Sequence, residues 1–168
     1  ALDRDDTEMK TGREMKTGRL EAIWLKRAHR GQMDAVAEAA AIAGQGLAGS
    51  VGRSSRRQVT IIERERWESY QRALSLDIPP SSRRANLMVS GITLARTRGG
   101  ILRVGGVRLA IGGETTPCER MDEVAQGLRA LMRANWGGGV FAKVLDDGIV
   151  TVGDTVYFDD EQNTLDLS

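Results

Sequence analysis

A single cysteine and a single histidine among 168 residues exclude an intramolecular disulfide, every multi-cysteine zinc or iron–sulfur site and every His-rich metal site. Aromatic residues make up only 4%, so the core has to be built from Val, Ile, Leu, Ala and Met, and few rings are left for stacking nucleobases. Neither sign of charge is in excess. Lys and Arg number 24 against 23 Asp and Glu, a net charge of +1, which argues against a protein that coats DNA. No apolar run approaches the roughly 20 residues of a membrane span, and no secretory signal is visible, so a soluble cytoplasmic, bacterial protein that does not engage a membrane is expected. No Gly-x-Gly-x-x-Gly opens a helix after a strand, and no Walker loop is present. What the chain has in quantity is glycine, 20 residues, implying many turns and bulges. The length suits one domain of the common size of about 100–150 residues, able to hold a core without metal or disulfide staples.

Near the N-terminus, Glu8-Met9-Lys10-Thr11-Gly12-Arg13 is repeated at once as Glu14 to Arg19. We read residues 1–14 as a tag outside the fold, 15–158 as one domain, and 159–168 as a polar acidic tail. Leu20 to Leu25 reads as a first strand with mixed alternation. The Ala-rich stretch from Met33 to Ala43 reads as a helix by propensity, broken by Gly44 to Gly49. Gln58 to Ile62 is β-branched and strand-like, and Trp67, Tyr70 and Leu74 make one face of a helix over 63–74 that Pro79-Pro80 terminates. Strands follow at Leu87-Met88-Val89 and Ile92-Thr93-Leu94, bent at Gly91, and on either side of Gly105-Gly106. Met121 to Ala134 is the clearest helix, with Met121, Val124, Leu128, Leu131 and Met132 on one face. Three last strands occupy 140–145, 149–152 and 155–158, with Asp147-Gly148 as a hairpin signal between the first two. An unpaired edge after Val156 would favour a homodimer. Many short strands with two to three peripheral helices indicate a mainly β fold, a closed or partly closed barrel.

Cys118 is the chemical candidate. Pro117 stiffens its approach, and it stands just before the Met121 helix, where a dipole favours the thiolate that attacks electrophiles and binds soft metals. Arg120 adds positive potential if it faces the sulfur. Arg57, with Arg53 and Arg56, precedes one strand, and Arg83-Arg84 precede another. If both strands end at one rim, these forks converge on an anion. Asn86 offers a directional hydrogen bond. His29 reads as an exposed strand-end residue, and no Ser-His-Asp or Cys-His pairing is possible from it.

The order of segments resembles the MOSC domain, named for the C-terminal domain of molybdenum cofactor sulfurase. The pieces are Gly44-Gln45-Gly46-Leu47-Ala48-Gly49, Arg57 to Ile62, Arg83-Arg84-Ala85-Asn86-Leu87 with Val89-Ser90-Gly91-Ile92, and Gly112 to Glu114 leading into Thr116-Pro117-Cys118. Trp136-Gly137-Gly138-Gly139 and Thr151-Val152-Gly153-Asp154 complete the series. They run from about Gly18 to Val156, with the sole cysteine in the family's cysteine position. Ser50 departs from the pattern, where members often carry Asp. The resemblance implies a barrel like that of pyruvate kinase, with Cys118 as the functional residue. Cys118 would serve as molybdenum ligand in a reductase of N-hydroxylated compounds, or as a persulfide carrier for metal–sulfur or cofactor assembly. It implies binding of molybdenum cofactor (molybdopterin), a family association with pyridoxal phosphate, and Arg57, Arg83, Arg84, Asn86, Ser90 and Arg120 as cofactor-binding residues. Partners would be a cysteine desulfurase or an electron-donor protein. The competing expectation is a non-catalytic barrel that binds an anion or RNA.

Overall fold

The computed structural model describes residues 16–159; the reading of 1–14 as a tag lies outside them, as does that of 159–168 as a tail except for Asp159, which pairs with Arg103. Eleven strands are present: β1 (Thr17–Lys26), β2 (Met33–Val36), β3 (Glu38–Ile42), β4 (Gly46–Leu47), β5 (Val59–Glu63), β6 (Leu87–Ser90), β7 (Ile101–Val104), β8 (Val107–Glu114), β9 (Val140–Val144), β10 (Gly148–Thr151) and β11 (Thr155–Phe158). The helices are α1 (Arg64–Leu74), α2 (Arg120–Val124) and α3 (Leu128–Arg133), with 3₁₀ turns at Pro80–Arg83 and Ala134–Trp136. Seven strands close a barrel in the order β1-β11-β7-β8-β9-β5-β6 and back to β1, and β2 extends β1. All neighbours are antiparallel except β5 and β6, the pair that α1 connects. The expected closed barrel with peripheral helices is therefore what forms, and among the described residues no helix is long and apolar enough to cross a membrane.

Alternation builds the wall. Along β8, Val107, Leu109 and Ile111 face the core while Arg108, Ala110 and Gly112 face outward. The mixed pattern of β1 has a physical cause. Its pairing with β6 shifts register between Leu20 and Ala22, so Leu20 and Ile23, three residues apart, both point inward. A second sheet, β10-β3-β4, packs Ala39, Ala41, Leu47 and Val150 onto the same core.

Five local expectations are corrected. Met33 to Ala43 is two strands rather than a helix. Met33–Val36 pairs with β1, and Glu38–Ile42 pairs with β10 and turns alanines 39 and 41 onto the core, so tertiary pairing overrides alanine's helical propensity. Ile92 to Leu94 is not a strand, because the chain turns away at Gly91. The helix over 121–134 is two short ones. Ala125 is extended and Gly127 sits at φ +92°, a conformation glycine adopts without a Cβ penalty, and Val124 is left exposed. Asp147-Gly148 makes no hairpin. Its Oδ1 accepts from the Ala43 amide at 2.8 Å, steering β10 away from β9 and onto β3. Nor is β11 an unpaired edge, since β1 and β7 bracket it.

Glu63 ends β5 with its carboxylate accepting the Leu94 amide at 3.0 Å, and partial burial pushes its pKa up, against the pull of that hydrogen bond and of Arg66. The folded protein thus holds this proton more tightly than the unfolded chain. Stability should fall as pH rises from the unfolded pKa, about 4.3, through the folded value. Urea unfolding of wild type and Glu63→Gln between about pH 4 and pH 7 checks this. The stability difference, wild type minus variant, is expected to shrink or turn negative with rising pH.

Candidate functional site

Cys118 lies on the loop between β8 and α2, and it is exposed. The buried Pro117 anchors it from behind, and its carbonyl accepts the Met121 amide at 3.0 Å. At five residues α2 carries little macrodipole, so the helix start contributes less to the thiol than its position in the sequence implies. The charge close to Cys118 is Arg83. Burial lowers the arginine's pKa, and attraction to Cys118 and then to Tyr70 opposes that. Its guanidinium donates from Nε to the Gly138 carbonyl at 3.1 Å and from Nη2 to the Thr115 carbonyl at 3.2 Å. Arg83 therefore ties the segment that carries Cys118 to the glycine run before β9.

One cavity borders this tie and a second lies on the other side of Arg84. A small one of about 70 Å³ is lined by Thr60, Ile62, Arg83, Arg84, Ala85, Thr115 and Gly138. A wider one of about 460 Å³ is lined by Arg30, Ser82, Arg84, Arg120 and Val124, with Glu119 and Glu123 at its wall. Arg84 faces both. Its Nη1 donates to the Gly31 carbonyl at 2.5 Å, whereas its Nη2 is buried with no partner. Lys26, the last residue of β1, belongs to the same group: burial lowers its pKa, and the charges of Arg84 and Arg120 lower it further. Cations crowded together with a donor left unsatisfied are electrostatically poised for an anion.

The structure thus gathers four of the expected residues, Cys118, Arg83, Arg84 and Arg120, around one region. It places three elsewhere. The Asn86 side chain is spent inside the fold: Oδ1 accepts the Thr60 amide at 3.0 Å, and Nδ2 donates to the Trp24 carbonyl and to Ser50 Oγ, each at 3.3 Å. Ser90 is buried and donates to Glu21 Oε2 at 2.6 Å, where Glu21 also pairs with Arg64. Arg57 stacks over the Phe141 ring at 4.8 Å. Ser50 does not line either cavity; its hydroxyl accepts the Lys26 amide at 3.0 Å and the Asn86 donor. His29 is exposed in a turn, as expected.

Sequence reasoning missed Lys26, Arg30 and Thr115. The one signal for Lys26 was a charged residue closing the apolar run Ile23-Trp24-Leu25; nothing local marks the others. The glycine run was legible as one piece of the motif series, but not what each member does: Gly137 makes room for the Tyr70 hydroxyl, Gly138 for the Thr115 carbonyl and Gly139 for the Ile61 carbonyl.

A family model described as "MOSC domain" matches residues 29–157. Among solved structures, the YuaD protein of Bacillus subtilis is 20% identical with a TM-score of 0.74, covering 86% of this chain and 97% of that one. YiiM of Geobacillus stearothermophilus is 14% identical with a TM-score of 0.69, covering 85% and 75%. YiiM of Escherichia coli is 18% identical with a TM-score of 0.63, covering 85% and 70%. These likenesses establish the fold. No curated protein matches the chain.

Proposed function

Since this chain belongs to the MOSC domain family, we propose that it binds an anionic, metal-bearing cofactor of the molybdopterin type, with Cys118 as the thiolate ligand of the metal. The observation that carries the reading is an exposed thiol whose chain neighbours Glu119 and Arg120 line a cavity that Arg30 and Arg84 also wall, with one Arg84 donor unsatisfied and three arginines there against the two carboxylates of Glu119 and Glu123. The donor set fits such a group. Arginine forks take the two-pronged hydrogen bonds of a phosphate, and a thiolate suits a soft metal. Among the described residues no three His, Cys, Asp or Glu side chains converge, so a metal at Cys118 has to arrive with its other ligands, as a cofactor-borne metal does.

Arg84, Arg120 and Arg30 would hold the phosphate, with the charge of Lys26 adding to their field, and Arg83 would fix the loop that presents Cys118. When bound, the metal supplies two-electron reduction of an N–OH group to N–H, with two protons taken up and water released. The electrons would come from a separate donor protein, in a cytoplasm that keeps a lone thiol reduced. A second reading rests on the exposure of Cys118, since a persulfide carrier needs only a thiol that a cysteine desulfurase can reach.

Elemental analysis after expression in a cofactor-competent host tests the first reading. Near-stoichiometric molybdenum in wild type and its loss in Cys118→Ser support it; equal molybdenum in both removes Cys118 as ligand. A mass gain of one sulfur atom at Cys118 after desulfurase treatment, without molybdenum, supports the carrier instead.

A further inference from the structure

The buried ring of Phe141 carries two guanidinium groups on the outer face of the barrel. Arg56 lies 5.0 Å and Arg57 4.8 Å from its centroid. Arg98 is close by: its Nη2 and the ring edge both lie 3.3 Å from the point where a Cβ on Gly113 would sit. All three arginines are exposed, and none joins an ion pair among the described residues. The segment is held rather than loose. The Arg57 amide donates to Ser54 Oγ at 3.0 Å, the Ser54 amide donates to the Arg57 carbonyl at 3.1 Å, and Arg53 Nη1 donates to the Leu47 carbonyl at 2.9 Å. The ring restrains the guanidinium groups above it, and among the described residues none of the three donates a side-chain hydrogen bond, so less side-chain entropy is lost when they meet an anion.

We propose that Arg56, Arg57 and Arg98, assembled on Phe141, form a docking surface for an acidic segment of a partner protein, the one that delivers electrons or sulfur to Cys118. The link to Cys118 rests on the proposed function; the acidic docking surface does not. Three observations choose this occupant. The arginines line neither of the cavities beside Cys118, which argues for a macromolecular surface over a small phosphate ligand. The ring is 2% exposed beneath its arginines and cannot stack a base, and the chain has a net charge of only +1, both against nucleic acid. The patch adjoins the site: Thr60 pairs with Phe141 across β5 and β9 and also lines the small cavity beside Arg83.

Fluorescence anisotropy with a labelled octaglutamate peptide tests the surface, with an octamer of single-stranded RNA as the comparison probe. Wild type should bind the peptide with an affinity that falls steeply between low and physiological salt. The Arg56→Gln/Arg57→Gln protein should lose about tenfold or more, while Arg84→Gln/Arg120→Gln loses less than about twofold. Phe141→Leu, checked for an intact fold by circular dichroism, should lose several-fold with every charge retained. Cys118→Ser should bind as wild type does, so a failure of the Cys118 reading leaves this result standing and the reverse also holds. Equal peptide binding by wild type and the Arg56/Arg57 variant, or tighter binding of RNA than of peptide, overturns the proposal.

Discussion

Gly138→Ala is expected to destabilise the protein by about 3 kcal/mol and to loosen the loop that carries Cys118. A Cβ at this position would sit 2.1 Å from the Thr115 carbonyl oxygen and 3.2 Å from both Arg83 Nη2 and Pro117 Cδ. The nearest of these is backbone and cannot swing aside as a flexible side chain would. The Thr115 carbonyl is one of the two acceptors of Arg83, and the Gly138 carbonyl is the other. The Thr115 amide also donates to the Gly139 carbonyl at 2.8 Å, so the strain spreads into the start of β9. Gly106→Ala supplies the control, because nothing lies within 4 Å of its added Cβ and its backbone is not left-handed; a change within about 0.5 kcal/mol is expected there. Urea midpoints of the two variants separate a steric cost from a general cost of replacing glycine.

The second large effect falls on Asn86. Its side chain bridges three segments, accepting from Thr60 of β5 and donating to Trp24 of β1 and to Ser50 of the loop after β4. Its backbone continues the same clamp, donating to the Thr60 carbonyl at 3.0 Å and accepting the Trp24 amide at 2.7 Å. Truncation to alanine takes the side-chain acceptor from the Thr60 amide and a donor from the Trp24 carbonyl and Ser50 Oγ, in a part-buried place. Each unsatisfied group costs about 1–3 kcal/mol, so a loss of about 3 kcal/mol in urea unfolding is expected. Asn86→Asp keeps the acceptor and loses both donors, and it should fall between alanine and wild type. A loss below about 0.5 kcal/mol for alanine would show that the clamp contributes little.

Asn86 also shows where sequence reasoning reaches and where it stops. A polar residue just before an apolar strand is legible as something other than surface, but ligand contact and strand clamp demand the same side-chain chemistry. Only the positions of Trp24 and Thr60, 62 and 26 residues away in the chain, separate them. The barrel was readable because β7 and β8 carry two-residue alternation written locally. The Ala-rich strands were not, because alanine has no side-chain preference strong enough to signal a face, and the pairing partners β1 and β10 decide the matter. Cys118, Arg83, Arg84 and Arg120 were legible as residue types in an ordered series of motifs. Lys26 was marked only as a charge closing an apolar run, since what sets it apart is the nearby charge of Arg84 and Arg120, which the fold supplies.

Whether thiol and cations form one anion-receiving site is tested most directly by alkylating Cys118 with iodoacetate and with iodoacetamide, which differ in charge but react at the same carbon. The ratio of the two rates, referred to that of N-acetylcysteine, reads the local potential at the sulfur independently of its intrinsic reactivity. We expect the anionic reagent to be favoured several-fold in wild type, inorganic phosphate to slow it, and Arg84→Gln/Arg120→Gln to bring the ratio back to that of the free thiol. A wild-type ratio no higher than that of N-acetylcysteine, unmoved by phosphate or by the arginine variant, would mean that Cys118 and the arginine cavity are separate features.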